Sequence, residues 1–181
     1  MTRCVRRLGP GLGLAAAFLT ATPAWAGDLF GGVYAHGVNT PLTKNISEGG
    51  QDFELGYRFG SILSLGPLGA LRPYASVSAN DHGDTSLAAG GLSLRFGGPI
   101  YARPGIGIAV HTGPSFRVGA DGYRTDLGSR VLFEPELALG MAVAPRLSIE
   151  ASWVHVSHAQ LFSRQNPGLD MIGARLNFHL F

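Results

Sequence analysis

A histidine, a serine and an aspartate lie close together near the end of the chain. His155 and Ser157 belong to the stretch Ser-Trp-Val-His-Val-Ser-His, residues 152–158, and Asp170 follows the turn-forming segment 166–168. Serine, histidine and a carboxylate are the parts of a nucleophile, base and orienter set. In such a set Ser157 would attack an ester carbonyl, His155 would move the proton, and Asp170 would hold the imidazole ring.

The spacing of His155 and Ser157 puts both side chains on one face if the segment is a strand. Their α-carbons would then lie about 7 Å apart, a separation that side chains can bridge. The same face carries an apolar series at the preceding alternate positions: Leu147, Ile149, Ala151 and Trp153. A polar pair that continues an apolar face is either the rim of a membrane-spanning strand or a functional pair, and the pattern alone leaves both open.

Alternating patterns bounded by turn formers predict eight strands, and helical spacing is nowhere sustained. The predicted strands are 28–37, 52–63, 72–80, 85–96, 101–112, 129–143, 146–158 and 171–181. One face of each is mainly apolar and the other carries polar and charged residues. Several exceed the usual length of about 5 or 6 residues and reach the roughly 10 residues that a tilted strand needs to cross a bilayer.

The N-terminal segment has the pattern of a secretory signal peptide. Basic residues Arg3, Arg6 and Arg7 precede an apolar run at 12–19, and Ala24-Trp25-Ala26 forms a small-x-small cleavage pattern before Gly27. The apolar run is shorter than the about 20 residues of a membrane-spanning helix. We therefore expect a signal peptide at 1–26, cleaved near Ala26-Gly27, and a single domain at 27–181.

Removal of this segment changes the charge and the redox chemistry of the chain. Three of the 14 Lys and Arg residues and none of the 12 Asp and Glu residues would leave with it, so the remaining charges nearly balance. This balance gives no support to a nucleic-acid partner. Cys4, the single cysteine, would leave too, which excludes a disulfide within residues 27–181.

An even number of strands after a signal peptide favours an all-β protein, an eight-stranded antiparallel transmembrane β-barrel of the bacterial outer membrane. A water-soluble, lipocalin-like barrel stays open as an alternative. Side chains fill the interior of so small a barrel. An internal ion-pair network is predicted from these charged residues: Arg58, Arg103, Arg130, Glu54, Glu134, Glu136 and Glu150.

Such a barrel fixes where the polar pair lies. The seventh strand would run outward from Arg146, which places His155 and Ser157 near the outer hydrocarbon boundary and facing the lipid. Asp170 would open the neighbouring strand, within reach of the imidazole of His155. The arrangement predicts an esterase site on the outside of the barrel.

The segment from His155 to Asp170, H-V-S-H-A-Q-L-F-S-R-Q-N-P-G-L-D, resembles the signature of the lipid A 3-O-deacylases, the PagL type of outer-membrane acyloxyacyl hydrolase. Two further segments, 32–39 and 128–137, are similar to segments of that family. The resemblance implies an eight-stranded outer-membrane barrel that removes the ester-linked acyl chain at position 3 of lipid A. It further implies a serine, histidine and glutamate triad on the lipid-facing exterior.

Carried over by position, the resemblance assigns His155 as the base and Ser157 as the nucleophile. Asp170 stands in place of the glutamate, and Asn166 matches the loop asparagine associated with the oxyanion site. Three departures follow: Asp170 is one methylene shorter, the connecting loop is one residue longer, and His158 replaces the usual asparagine after the serine.

The expected partners are lipid A or lipopolysaccharide and the lipids of the outer membrane, and a homodimer stays open. We expect no cofactor and no metal, since hydrolysis by such a triad needs neither. Two other function classes stay open beside the esterase. One is a non-enzymatic small barrel for adhesion or envelope integrity, and the other is a soluble periplasmic lipid carrier.

Overall fold

The fold is described from a computed structural model, which covers residues 27–43, 46–113, 126–162, 164 and 166–180. The predicted signal peptide at 1–26 lies outside these residues and stays a prediction. The described residues form nine strands: β1 (Asp28–Ala35), β2 (Gln51–Arg58), β3 (Leu63–Ser64), β4 (Ala70–Asn80), β5 (Leu87–Gly97), β6 (Ile100–His111), β7 (Val131–Ala144), β8 (Leu147–Val156) and β9 (Leu169–His179).

Eight of these strands close into an antiparallel barrel, which confirms the predicted fold class. Neighbours along the chain pair with one another from β4 to β9, β9 pairs with β1, β1 with β2, and β2 with β4. The two-residue strand β3 only extends the edge of β4. Helical structure in the described part of the chain is limited to one 3-10 turn, Gly66–Leu68.

One predicted strand is wrong in its extent. The second strand was expected at 52–63, but β2 ends at Arg58 and the chain pairs again only at β3. Gly60 and Ser61 interrupt the apolar alternation, and Pro67 at the first turn of the 3-10 segment then reverses the chain.

The last strand begins at Leu169, two residues earlier than predicted, which places Asp170 inside the sheet.

The apolar face of the barrel points outward. In β8 the inward residues Ser148, Glu150 and Ser152 are buried, while the outward residues Ile149 and Ala151 are exposed. The other strands expose large apolar side chains in the same way, among them Phe53, Leu55, Ile106, Ile108, Leu139, Ile172, Leu176 and Phe178. An apolar exterior around a polar interior is the arrangement of a membrane barrel and the reverse of a water-soluble one, so the soluble carrier is excluded.

In the described residues, no helix has the length and hydropathy required to span a membrane.

Charged side chains fill the barrel interior, as predicted, but their centre is Arg175. Its guanidinium lies 3.0 Å from Glu54 and 2.9 Å from Glu136, and Arg103 bonds Glu150 at 2.8 Å. The prediction for Arg130 is wrong. It precedes β7 instead of lying within it, so its side chain is exposed at the barrel end and donates to the backbone carbonyls of residues 111 and 113.

The two ends of the barrel differ in the length of their connections. Two-residue turns join β5 to β6 and β7 to β8 at one end, where the connection from β2 to β4 carries β3 and the 3-10 turn, whereas the strands β1, β6 and β8 are each followed by a connection of twelve or more residues at the other end. Outer-membrane barrels have short periplasmic turns and longer extracellular loops. The ends of β8 and β9 that carry His155 and Asp170 are therefore the extracellular ends.

Candidate functional site

The pairing of β8 with β9 brings His155 and Asp170 together. The two residues are direct partners in the ladder, and His155 Nδ1 lies 2.8 Å from Asp170 Oδ1. His155 shares its face with Trp153, and Asp170 shares its face with the exposed Ile172. Both side chains therefore belong to the outer surface of the barrel, the face that the alternation of apolar and polar residues predicts.

Loop residues bury this pair although it lies on the outer face. Asp170 is 0% exposed and His155 8%. Three donors reach the carboxylate: His155 Nδ1 and Trp153 Nε1, each at 2.8 Å from Oδ1, and the Thr40 hydroxyl at Oδ2. Sequence reasoning did not find Thr40, which lies 130 positions before Asp170 and directly after the segment 32–39 that resembles the family. Trp153 could have been found, because it precedes His155 by two residues on the same strand face.

Ser157 comes directly after the last residue of β8 and continues its outward face. Its backbone still pairs with β7, with the Ser157 carbonyl 2.7 Å from the Phe133 nitrogen. Ser157 is partly exposed. Within the described residues its hydroxyl makes no hydrogen bond to the His155 ring, whose Nδ1 is bonded to Asp170. Since Asp170 engages Nδ1, the other ring nitrogen, Nε2, is the atom that can accept the serine proton. Catalytic hydrogen bonds of this kind are often loose without substrate.

Asn166 lies in the loop that follows Ser157, and one hydrogen bond orients its carboxamide. Asn166 Oδ1 accepts the backbone N–H of His158 at 3.1 Å. Because a backbone N–H only donates, the oxygen must face this contact, and the two Nδ2 hydrogens face elsewhere. Because an oxyanion is stabilised by hydrogen-bond donors, Nδ2 is the atom through which Asn166 would act.

His158, which stands where the family signature has asparagine, is a buried anchor of the same loop. Its side chain is 0% exposed, and its ring lies 5.9 Å from that of Phe162 between centroids. The Phe162 N–H donates to His158 Nδ1 at 3.4 Å. His158 therefore helps to hold the loop that carries Asn166.

Gly168 lies against the imidazole and has a left-handed backbone with φ of 68°. A Cβ at this position would come within 2.8 Å of His155 Cε1 and 3.0 Å of the Leu42 carbonyl oxygen. We expect Gly168→Ala to displace the imidazole and to strain the backbone by about 1 kcal/mol. The measurement is kcat for ester hydrolysis, expected to fall by about 10-fold to 100-fold, as for a misplacement on the order of 1 Å.

Gly83 offers a matched control for this prediction. It also has a positive φ, 76°, but a Cβ there would meet open space. Gly83→Ala should carry a similar backbone strain and leave kcat unchanged. Equal losses of kcat in Gly168→Ala and Gly83→Ala would contradict the prediction that a Cβ at Gly168 acts by displacing the His155 ring.

A shallow apolar depression of about 930 Å³ lies below the site on the lipid-facing surface. It forms because the small residues Ala151 and Ala174 are partners at its centre, flanked by Leu139 on β7 and Val33 on β1. Ala151 precedes His155 by four residues, about 13 Å along the strand toward the membrane centre. The depression can receive an extended hydrocarbon chain.

A buried histidine with two carboxylates closes the base of the loop that carries Thr40. His36 Nδ1 lies 2.8 Å from Asp52, and its Nε2 lies 3.0 Å from Glu48. Burial lowers the pKa of His36, but the hydrogen bonds to Asp52 and Glu48 and their negative charges outweigh this and raise it from 6.5 to about 9. Burial raises the pKa of Glu48, but hydrogen bonds from His36 and Thr85 outweigh this and hold it below 4.5.

These shifts predict how the stability of the barrel depends on pH. The His36 contribution is fully present below pH 6.5 and is lost as pH rises through about 9. A shift of this size corresponds to on the order of 3 kcal/mol. Urea unfolding of the wild type in detergent should show this loss between pH 6.5 and 10. In the His36→Gln variant, the free energy of unfolding should change much less with pH over the same range. Parallel pH dependence of the unfolding free energy in the two proteins would contradict the role given to His36.

No group of three or more His, Cys, Asp or Glu side chains with a geometry suited to a metal ion occurs in the part of the chain that the structure describes.

An apolar exterior, a charged interior and eight antiparallel strands define a barrel of the bacterial outer membrane. Solved structures share this fold. The crystal structure of the outer membrane enzyme PagL superposes with a TM-score of 0.60 at 21% sequence identity, over 83% of this chain and 98% of that chain. The Neisserial surface protein A superposes with a TM-score of 0.51 at 12% identity, over 84% of this chain and 96% of that chain.

The family follows from the sequence. The family model "Lipid A 3-O-deacylase (PagL)" matches residues 51–179, and this chain belongs to that family. It is therefore an ester hydrolase of the outer membrane. No curated protein sequence matches the chain. Neither the family nor the fold bears on whether two barrels pair, and the homodimer stays a prediction.

Proposed function

We propose that the protein hydrolyses the 3-O-acyl ester of lipid A in the outer leaflet, with Ser157 as nucleophile, His155 as base and Asp170 as orienting acid. The observation that carries this proposal is the His155–Asp170 hydrogen bond of 2.8 Å on the outward face of the barrel, at its extracellular end. Ser157 is the next residue on that face. A site inside the barrel would have no access to a membrane lipid.

The first half of the reaction transfers the acyl chain to the enzyme. Ser157 Oγ attacks the ester carbonyl carbon while its proton passes to His155 Nε2, and the carbonyl electron pair moves to the oxygen. Asn166 Nδ2 donates to this oxyanion, a contribution whose loss typically costs about 3 kcal/mol in the barrier. The tetrahedral intermediate then breaks its bond to the sugar 3-oxygen, which leaves with the proton from His155.

The second half releases the fatty acid. Water gives a proton to His155 Nε2 and attacks the acyl-serine carbonyl, and collapse of the second tetrahedral intermediate returns the proton to Ser157 Oγ. Throughout, Asp170 stabilises the imidazolium and keeps its Nδ1–H directed at the carboxylate. Thr40 and Trp153 hold that carboxylate in place.

The lipid-facing surface also supports a particular alignment of the substrate. The head group of lipid A lies at the outer boundary, where Ser157 is found, and its acyl chains point to the centre of the bilayer. The depression centred on Ala151 and Ala174 lies on that path, below the triad on the same strands. We propose that the scissile acyl chain lies there, so that its ester reaches Ser157.

Mass spectrometry of lipid A tests this function. Purified protein in detergent micelles is incubated with lipid A, and the expected result is loss of one ester-linked chain from position 3 with release of the free fatty acid. A barrel that migrates as folded on a heat-modifiability gel and leaves lipid A unchanged would contradict the proposal. That outcome would favour the non-enzymatic role in adhesion or envelope integrity.

A further inference from the structure

Thr40 reaches the proposed catalytic acid from outside the part of the chain that matches the family. The family match begins at residue 51, and Thr40 lies in the loop between β1 and β2. Its hydroxyl contacts Asp170 Oδ2, while the donors from Trp153 and His155 both meet Oδ1. In the described part of the chain, Thr40 is thus the side chain that fixes the second carboxylate oxygen.

The hydrogen bonds around Thr40 determine the direction of its proton. The Leu42 backbone N–H donates to Thr40 Oγ1 at 3.0 Å. A hydroxyl has one proton and two lone pairs, and a backbone N–H can only donate. The Leu42 contact therefore uses a lone pair of Thr40, and the single proton is free to point at the carboxylate.

Hydrogen bonds hold this loop to the site, within itself and at its base. The Val38 N–H donates to the Asp170 carbonyl at 2.9 Å, and the Thr40 N–H donates to Thr43 Oγ1 at 2.9 Å. At the base of the loop, His36 bonds Asp52 and Glu48. The Thr40 hydroxyl is therefore held in position before any substrate arrives.

We propose that Thr40 is a positioning residue of the proposed triad, which keeps the Asp170 carboxylate from rotating away from His155. Without the hydroxyl, Oδ2 would lack its side-chain donor in a fully buried position, and the carboxylate would turn to find another partner. The inference rests on the proposed function. It assigns part of the site to a loop that precedes the family match.

The experiment measures kcat and KM for 3-O-deacylation of lipid A by purified wild type, Thr40→Val and Thr40→Ser. The valine variant keeps the shape and removes the donor, so we expect kcat to fall by about 10-fold to 100-fold with KM unchanged, as for loss of a hydrogen bond to a charged group. Thr40→Ser should stay within about threefold of wild type, because it retains the hydroxyl. Thr112→Val, a threonine change at the start of another extracellular loop, is the matched control.

A double variant separates positioning from a general loss of structure. If Thr40 acts through Asp170, adding Thr40→Val to Asp170→Asn should cause no further loss of kcat. The inference would be overturned if the fold-loss of kcat in the double variant equalled the product of the two single-variant losses. It would also be overturned if kcat of Thr40→Val lay within twofold of wild type. Thr40→Ala replaces the valine variant if gel migration shows that the latter does not fold.

Ser157→Ala in the same assay keeps the two proposals distinguishable. Activity retained in Ser157→Ala would overturn the proposed function and, with it, the role of Thr40. An inactive Ser157→Ala beside a fully active Thr40→Val would overturn only the role of Thr40.

Discussion

Replacing Ser157 with alanine is expected to lower kcat for lipid A deacylation by about 10³-fold or more, as losses of a serine nucleophile do in triad hydrolases. The change removes the oxygen that forms the acyl-enzyme, and the rest of the site is unchanged. The Ser157 backbone, not its side chain, pairs with Phe133, so the strand should stay intact. The measurement is the appearance of 3-O-deacylated lipid A by mass spectrometry over time.

Ser129→Ala is the matched control for this prediction. Ser129 also lies next to a strand at the extracellular end, just before β7. Among the described residues its hydroxyl contacts local backbone, the Val131 carbonyl at 2.8 Å and the Val131 N–H at 3.2 Å. We expect it to keep wild-type activity, and both variants should show heat-modifiable migration. A Ser157→Ala protein that deacylates lipid A at the wild-type rate would exclude Ser157 as the nucleophile.

The second large effect is expected at Asp170. Asp170→Asn removes the negative charge that stabilises the imidazolium, and its amide group must replace one of the two acceptor oxygens. Each of those oxygens now accepts a hydrogen bond, from Trp153 and His155 at Oδ1 and from Thr40 at Oδ2. We expect kcat to fall by about 10³-fold to 10⁴-fold, the size of effect seen when the acid of a serine triad becomes an amide.

Asp170→Glu distinguishes loss of charge from loss of shape. Glutamate keeps the charge but must fit one more methylene into a fully buried position. We therefore expect its kcat to lie between those of the wild type and Asp170→Asn. An Asp170→Asn enzyme with wild-type kcat would show that another group orients His155, and it would contradict the proposed triad.

The strands and their faces could be predicted because their cause is local. Alternation of apolar and polar residues decides which side of a strand meets lipid, and the outward face of β8 extends from Ile149 through Ala151 to His155. Shifting the pairing register of a strand by one residue would turn every side chain to the opposite face of the sheet. The direct pairing of His155 with Asp170 likewise follows because β8 and β9 are consecutive in the chain and pair with each other in the sheet.

Features that depend on distant segments could not be predicted in this way. Thr40 meets Asp170 only because barrel closure joins β1 to β9, and no pattern near Thr40 indicates that contact. Arg130 was misplaced because the strand boundary shifted by two residues, and alternation does not fix where a strand begins. The central position of Arg175 could not be predicted because it depends on barrel closure, which brings Glu54 of β2, 121 positions away in sequence, to the same guanidinium as Glu136 and Glu150.

Covalent labelling tests the proposed nucleophile most directly. A long-chain alkyl fluorophosphonate should react with the purified barrel as Ser157 Oγ displaces fluoride, since an activated serine attacks such a reagent. We predict one adduct per chain, mapped by peptide mass spectrometry to Ser157, and no adduct in the His155→Ala variant. An adduct on a different residue, or none on Ser157 in an enzyme that deacylates lipid A, would contradict the proposed site.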